Sequence, residues 1–156
     1  MKIFVQRIVQ FSIIAILLFS CKPKPKIYKV DLKASMMSAD IAFSKLSEER
    51  GMKTAYLEYI DSNGILQRPN TLSLKGGDAI DFISQADDTA FTMSWQPQGG
   101  TIAESGELGY TYGIYFLKSK TSDTIFEGTY VTIWKKQPDG KWKFELNTGN
   151  EGVGDR

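Results

Sequence analysis

The chain has 156 residues, 42% hydrophobic and 24% charged, an ordinary balance for one globular domain. Its formal net charge of +1 indicates no polyanionic partner, so we predict no nucleic-acid binding. There is no histidine, which excludes catalytic triads, Cys–His dyads and histidine-based zinc sites. The one cysteine, Cys21, allows neither an internal disulfide nor a thiolate metal cluster. We therefore expect no metal and no cofactor.

The first twenty residues have the pattern of an export signal, because Lys2 and Arg7 accompany an apolar run from Ile8 to Phe19. A run of about a dozen residues suits a signal-peptide core and is short for a transmembrane span. It ends in Leu-Phe-Ser-Cys, and this junction at Cys21 resembles the bacterial lipobox. The resemblance implies cleavage before Cys21 and lipidation of its thiol. The alternative is a plain anchor helix with an incidental cysteine.

Lipidation would place the protein in the bacterial cell envelope, attached to a membrane, with its domain outside the cytoplasm. Two or three acyl chains, such as palmitate, would hold it there stably. Alternating lysine and proline from Lys22 to Lys26 predicts a stiff, solvated tether. We thus divide the chain into a signal peptide (1–20), a lipidated tether (21–30), a domain (31–150) and a polar tail (151–156).

The first half of the domain is mainly helical. From Asp31 to Gly51, apolar residues recur at steps of three and four: Leu32, Met36, Ala39, Phe43 and Leu46. A second helix presents one apolar stripe: Met52, Ala55, Tyr56 and Tyr59. The elements predicted next are a turn at Asp61–Gly64, a strand at Ile65–Arg68, a helix opened by Gly76-Gly77, a strand at Phe91–Trp95 and a turn at Pro97–Gly100.

The second half, from Ile102 to Thr148, alternates with period two in three successive runs rich in aromatic and β-branched residues. Polar turn signals, including Pro138-Asp139-Gly140, separate the runs. This pattern predicts an antiparallel meander. One face of the sheet is aromatic, and only the upstream helices can cover it.

This order of elements resembles the nuclear transport factor 2-like fold, also called ketosteroid-isomerase-like or SnoaL-like. Four strings resemble one bacterial branch with no assigned function: ERGMKTAYLEYI (49–60), GILQRP (64–69), SGELGYTYGIY (105–115) and GTYVTIWKKQPDGKWKFELNTGN (128–150). The resemblance covers about Ala34 to Asn150. It implies an α+β cone in which three N-terminal helices pack on a strongly curved antiparallel sheet, with a pocket at the open end. It further implies a convex face that often pairs with a second subunit. The family often has aspartate where this chain has Asn147, and the loss of that carboxylate argues against acid chemistry there.

Charged residues mark the odd-numbered positions of the last two strands as exposed: Glu127, Lys135, Lys141, Lys143 and Glu145. We therefore expect the even-numbered residues to point inward: Tyr110, Tyr112, Tyr130, Thr132, Trp134, Trp142 and Phe144. A bulge near Gly109 or Gly113 would reverse part of this face. With the helix and the first long strand they would form an amphipathic pocket. The candidate ligand-binding residues are Tyr56, Trp95, Tyr112, Tyr130, Thr132 and Trp134. For each of them, simple core packing is the competing interpretation.

A carboxylate in such a pocket would have a raised pKa and could act as a base, with a tyrosine as hydrogen-bond donor to a developing enolate. The candidates are Asp40, Asp61, Glu104 and Glu107. Asp61 and Glu107 have the context of turns, and Asp40 that of a solvent-facing helix position. No catalytic residue is assigned on this basis.

Three functions remain open at this stage. The first is a lipid-anchored module that binds a small, partly apolar molecule without turnover. The second is an enzyme of the isomerase or dehydratase type, which would need a carboxylate inside the pocket. The third is an interaction domain that forms a homodimer through its convex face, where Val131 and Ile133 are apolar among polar neighbours.

Overall fold

The computed structural model describes residues 29–152, in which three helices pack on a curved, six-stranded sheet. The helices are α1 (Lys29–Arg50), α2 (Met52–Tyr59) and α3 (Gly77–Gln85). The strands are β1 (Ile60–Gln67), β2 (Leu74–Lys75), β3 (Phe91–Ile102), β4 (Leu108–Ser119), β5 (Ile125–Lys136) and β6 (Trp142–Glu151). The predicted signal peptide, the lipidation site and residues 21–28 of the predicted tether lie outside the described residues, whereas residues 29 and 30, assigned to the tether, begin α1. Within residues 29–152, no helix combines the length and apolarity that a membrane span requires.

The strand order is β2-β1-β6-β5-β4-β3, and β3 to β6 form the predicted antiparallel meander. The α+β class and the helices-on-curved-sheet architecture are thus confirmed. One pair differs from the antiparallel prediction, because β1 runs parallel to β6. Parallel neighbours need a long crossover connection. Here everything between the two strands, including α3 and the other meander strands, supplies it.

Two predicted turns are bulges inside continuous strands. In β1, Ile60 pairs with Phe144 and Ile65 with Leu146, so the Asp61–Gly64 segment is extra length within the strand. In β3, the register shifts between Pro97 and Gly99. β3 is an edge strand, where proline costs no sheet hydrogen bond on its open side. Turn-forming residues therefore mark bulges here, and the chain reverses only after β3 ends.

The direction of side chains in β4 differs from the prediction. The β4–β5 hairpin has an even number of residues, 119–124, between its last paired residues. Paired residues then differ in parity, so odd residues of β4 share a face with even residues of β5. Thr111 faces inward opposite Thr132, whereas Tyr110 and Tyr112 face outward and are 43% and 45% exposed. The expectation of inward-pointing even residues is correct for β5 and wrong for β4.

Phe43 of α1 is the centre of an aromatic core between the helices and the sheet. Its ring centroid lies 4.5 to 6.0 Å from those of Tyr56, Tyr59, Trp95, Trp134 and Phe144. Most of these pairs are edge-to-face, the arrangement that the aromatic quadrupole favours. This cluster fills the middle of the domain and leaves one end for the cavity described below.

Two buried serines attach α1 to the edge strand β3. Ser44 Oγ lies 2.8 Å from the carbonyl oxygen of Trp95 and 2.7 Å from its backbone nitrogen. Ser47 Oγ donates to the carbonyl of Met93 at 2.7 Å. These contacts satisfy backbone groups on the strand edge, which would otherwise be buried without partners. The register between α1 and β3 is fixed as a result.

Candidate functional site: an apolar cavity with an arginine at its rim

A cavity of about 240 Å³ opens where α2 and the end of β1 meet one end of the meander. Its lining consists of Met52, Tyr56, Arg68, Pro69, Phe91, Met93, Tyr115, Leu117, Tyr130, Asn147, Thr148, Gly149 and Glu151. Most of the wall is apolar or aromatic. The charged side chains, Arg68 and Glu151, belong to segments at the ends of β1 and β6.

The apolar wall follows from the strand register. Met93 of β3 pairs with Leu117 of β4, and both face the helices together with Phe91 and Tyr115. All four residues have odd numbers, and the odd-numbered residues of β4 point inward because of the length of the β4–β5 loop. The pKa of the Tyr115 hydroxyl is raised, first by burial, as expected for a phenol in an apolar wall.

Asn147 joins the polar groups of the rim. Its side-chain oxygen accepts hydrogen bonds from Tyr56 Oη at 3.2 Å and Arg68 Nη2 at 2.9 Å. Its Nδ2 donates to Thr132 Oγ1 at 2.9 Å. Because arginine can only donate, the orientation of this amide is determined by its contacts. The register shift in β6 opposite Trp134 brings residue 147 inward.

Arg68 is half-buried and held at several points. Besides the amide contact, Nη1 donates to the carbonyl oxygens of Asn147 at 3.2 Å and Gln67 at 2.9 Å. Its Cζ lies 5.6 Å from the ring centroid of Tyr56, a cation–π distance. Burial raises the pKa of Tyr56, and the guanidinium partly opposes that shift. No carboxylate within residues 29–152 forms an ion pair with Arg68.

A second polar cluster lies deeper, behind Tyr130. Asp40 of α1 is fully buried and accepts hydrogen bonds from Tyr130 Oη at 2.7 Å and Trp95 Nε1 at 2.9 Å. Burial raises the pKa of Asp40, and the hydrogen bonds from Tyr130, Trp95 and Thr111 oppose that shift. The sequence context predicted a solvent-facing residue here, and that expectation is wrong.

Two of the three tyrosine hydroxyls in the wall already donate within the protein. Tyr130 donates to Asp40, and burial together with that carboxylate raises the pKa of the phenol. Tyr56 donates to Asn147. A phenol has one proton, so both rings offer a ligand only an oxygen acceptor and an apolar face. Among the described residues, Glu151 is the one carboxylate that lines the cavity, where it is exposed at the rim, and Asp40 is not part of the lining.

The predicted ligand-binding residues fall into three groups. Tyr56 and Tyr130 line the cavity. Trp95, Thr132 and Trp134 are buried immediately behind it, in the core and in the polar clusters. The remaining residue, Tyr112, was expected to point inward and lies on the outer face of the sheet, because of the hairpin register described above.

The other predicted carboxylates lie away from the cavity. Asp61 is buried near the β5–β6 hairpin, where Gln137 Nε2 donates to it at 2.9 Å. The backbone N–H of Asn63 is the main cause of its lowered pKa. Glu104 and Glu107 lie in the β3–β4 connection, at the opposite end of the strands from the cavity. The lowered pKa of Asp61 makes it a weaker base, and Glu104 and Glu107 lie too far from the cavity to reach a ligand there.

Sequence reasoning missed the wall of β3 and β4 and the role of Arg68. The wall follows from the even length of the loop 119–124, whose bounds are set by the pairing of Lys118 with Ile125 in the structure. Arg68 had a weaker signal: it is a cation between a strand and Pro69, inside one of the strings that carry the family resemblance. Its position over Tyr56 depends on the parallel pairing of β1 with β6, which the sequence pattern did not predict.

Comparison with known proteins shows the fold and no closer relationship. No protein-family profile and no curated protein sequence matches the chain. Among solved structures, a ketosteroid isomerase-like protein from Erwinia carotovora is 14% identical, with a TM-score of 0.61, over 79% of this chain and 97% of that one. A nuclear transport factor 2-like superfamily protein from Salmonella enterica is 12% identical, with a TM-score of 0.60, over 83% and 99% of the two chains.

A third structure, from Novosphingobium aromaticivorans and proposed to be a scytalone dehydratase, is 14% identical. Its TM-score is 0.62, over 80% of this chain and 85% of that one. The domain therefore has the nuclear transport factor 2-like fold, as its element order predicted. Identities this low establish the fold alone, and the same fold hosts different functions.

Proposed function

We propose that this domain binds a small, partly apolar molecule without converting it. The observation that carries the proposal is the cavity itself: an apolar wall, a lining in which residues 29–152 place no buried carboxylate, and Tyr56 and Tyr130 protons that are already bonded within the protein. An isomerase or dehydratase of this fold would need a base that reaches its substrate. Asp40 is buried behind Tyr130, and its oxygens already accept two hydrogen bonds.

The proposal can be tested by filling the cavity with a larger side chain. We expect Met93→Trp to occupy the apolar wall and to weaken binding of small aromatic or acyl compounds by about tenfold or more, which is about 1.4 kcal/mol. The measurement is a thermal-shift screen followed by titration of the compounds that stabilise the wild type. Thr92→Trp is the matched control, because it adds the same side chain one residue away on the opposite face of β3.

Two results would contradict the binding proposal. One is a wild type that no compound stabilises. The other is equal loss of binding in Met93→Trp and Thr92→Trp, since only the first residue lines the cavity. Turnover of a bound compound would favour the enzymatic alternative, and loss of that turnover in Asp40→Asn would connect it with the buried carboxylate.

We further propose that the domain is anchored to a bacterial membrane through lipidated Cys21. The support is the leader, its lipobox-like junction and the lysine–proline tether. We expect Cys21→Ala to block maturation or to release the protein from the membrane fraction. The control is Ser38→Ala, an exposed position of α1 downstream of the junction that should leave anchoring unchanged. Normal processing and retention of the Cys21→Ala variant would overturn the proposal.

A further inference from the structure

We propose that the cavity selects a small carboxylate, whose anionic group binds Arg68 while its apolar body lies against β3 and β4. This inference rests on the proposed binding function and specifies its ligand class: a monocarboxylate with one ring or a short acyl chain. Three features of the structure carry it: the placement of the guanidinium, the lack of an ion-pair partner for it within residues 29–152, and the neutrality of the other side-chain donors in the described lining.

The guanidinium is preorganised at the rim. The Nη1 and Nη2 atoms of Arg68 are fixed by three hydrogen bonds to oxygens of Gln67 and Asn147, and its Cζ lies over the Tyr56 ring. A guanidinium has five N–H donors, and the bonded atoms leave Nε–H and part of the Nη fork for a ligand. A side chain already held in place loses little conformational entropy when it binds an anion.

Within residues 29–152, the guanidinium of Arg68 has no ion-pair partner. Its side-chain partner at position 147 is an amide, so the contact satisfies hydrogen bonds without supplying a negative charge. Glu151 also lines the cavity and forms no ion pair with the guanidinium, but after burial its charge is the next cause of the raised pKa of Tyr115, so it opposes an anion in the cavity. Because Glu151 is exposed, solvent weakens this repulsion, and a ligand anion would lie nearer to Arg68. A half-buried cation beside an apolar wall favours an anionic ligand that brings its own apolar surface.

The other side-chain donors in the described lining are neutral, and Thr148 contributes one hydroxyl. Two of the three tyrosine hydroxyls in the lining donate within the protein, and Tyr115 supplies the third, a neutral donor. An anionic group on the ligand therefore gains most by contacting Arg68, and its body gains most by contacting Phe91, Met93 and Leu117. A cavity of about 240 Å³ is somewhat larger than one that holds benzene, about 150 Å³, which limits the body to roughly one ring.

The test compares phenylacetate with phenylacetamide, which have the same shape and differ in charge. We expect the full chain in lipid nanodiscs, titrated calorimetrically with empty nanodiscs as the blank, to bind phenylacetate about tenfold more tightly than the amide. Asn147→Asp is the decisive variant, because it is nearly isosteric and supplies the missing negative charge beside Arg68. It should remove the preference for the acid, so that the ratio of the two affinities falls to about one.

Arg68→Gln should have the same effect on selectivity, and Glu151→Gln should leave the preference in place or increase it slightly. Equal affinity of the wild type for acid and amide would overturn the carboxylate assignment while leaving the binding function intact. A preference for the acid that survives both Asn147→Asp and Arg68→Gln would also overturn it. If neither compound binds while others in the screen do, the ligand class is wrong. Failure of every compound would instead reject the binding function.

Discussion

Asp40 shows how one buried polar residue can be hidden in a helical pattern. It lies four residues after Met36 and three before Phe43, both fully buried, so the inner stripe of α1 passes through it. Read for polarity alone, an aspartate marks a solvent-facing position. Burial is possible here because Tyr130 and Trp95, from two different strands, donate to its two oxygens.

The raised pKa of Asp40 makes a prediction about stability and pH. Because the folded protein holds this proton more tightly than the unfolded chain, Asp40 lowers the free energy of unfolding as pH rises through its folded pKa. As pH falls toward 3.8, the ordinary pKa of an aspartate, Asp40 becomes protonated in both states and no longer lowers the free energy of unfolding. Asp40→Asn removes this titration. In urea unfolding from about pH 7 to about pH 4, we expect wild type to gain stability relative to the variant as pH falls.

Groups such as Asp61, whose lowered pKa acts in the opposite direction, are common to both proteins and cancel in the comparison. A difference in unfolding free energy that stays constant with pH would show that Asp40 titrates alike in the folded and unfolded chains. That result would contradict the prediction.

Substitutions of Trp134 and Tyr112 compare the two faces of the sheet. The sequence pattern predicted that both side chains point inward, but only Trp134 does. Trp134 is completely buried, and its Nε1 donates to Thr111 Oγ1 at 2.8 Å. We expect Trp134→Ala to cost about 3–5 kcal/mol of unfolding free energy. Tyr112→Ala, on the outer face, should cost about 1 kcal/mol or less, the scale of a cross-strand pair. Similar losses in chemical denaturation would reject the register of the β4–β5 hairpin.

At the scale of elements, the bulge in β3 depends on a glycine in the neighbouring strand. A Cβ on Gly113 would lie 2.1 Å from the backbone oxygen of Gln96 and 2.9 Å from Pro97 Cα. Neither atom belongs to a flexible side-chain end, so the strands would have to separate. The bulge and the glycine opposite it therefore form one structural feature.

A pair of glycine substitutions tests this feature. We expect Gly113→Ala to lower the free energy of unfolding by about 1–3 kcal/mol, because the added methyl group overpacks the bulge. Gly77→Ala is the matched control: it opens α3, has nothing within 4 Å of an added Cβ, and should be neutral or stabilising by up to about 1 kcal/mol. Both are measured by chemical denaturation, and a destabilised Gly77→Ala with an unaffected Gly113→Ala would contradict the close packing at the bulge.

At the scale of the whole molecule, the outer face of the meander carries a patch with no partner within residues 29–152. Val131 and Ile133 were predicted to form it, and their cross-strand neighbours Tyr112 and Tyr110 extend it. Val131 is 38% exposed and both tyrosines more so. Exposed apolar patches of this kind are typical of interaction surfaces.

We therefore expect the fragment that starts after Lys26 to sediment as a homodimer at tens of micromolar protein, an affinity of about 7 kcal/mol. Val131→Lys should shift it toward the monomer by placing a charge in the patch. Leu72→Lys is the control, because Leu72 is 90% exposed before β2, away from this face. A wild-type fragment that sediments as a strict monomer would contradict the prediction.

The sequence by itself determined the succession of three helices and a meander, because hydrophobic periodicity is a local property that survives without coordinates. It also determined which chemistry the domain lacks, since the absence of histidine needs no structure. The β1–β6 pairing, the inward face of β4 and the burial of Asp40 were decided by tertiary structure. Each depends on contacts between residues distant in the chain, and local patterns do not encode them.

The cavity belongs to this second group. Tyr56 and Tyr130 could be named from their elements, but Arg68 reaches the rim only because β1 lies beside β6, and Asn147 turns inward only because β6 is bulged. A one-residue shift in register exchanges the inner and outer faces of a strand. The residue types in the sequence therefore limited what the site can do, and the register of four strands decided which of those residues form it.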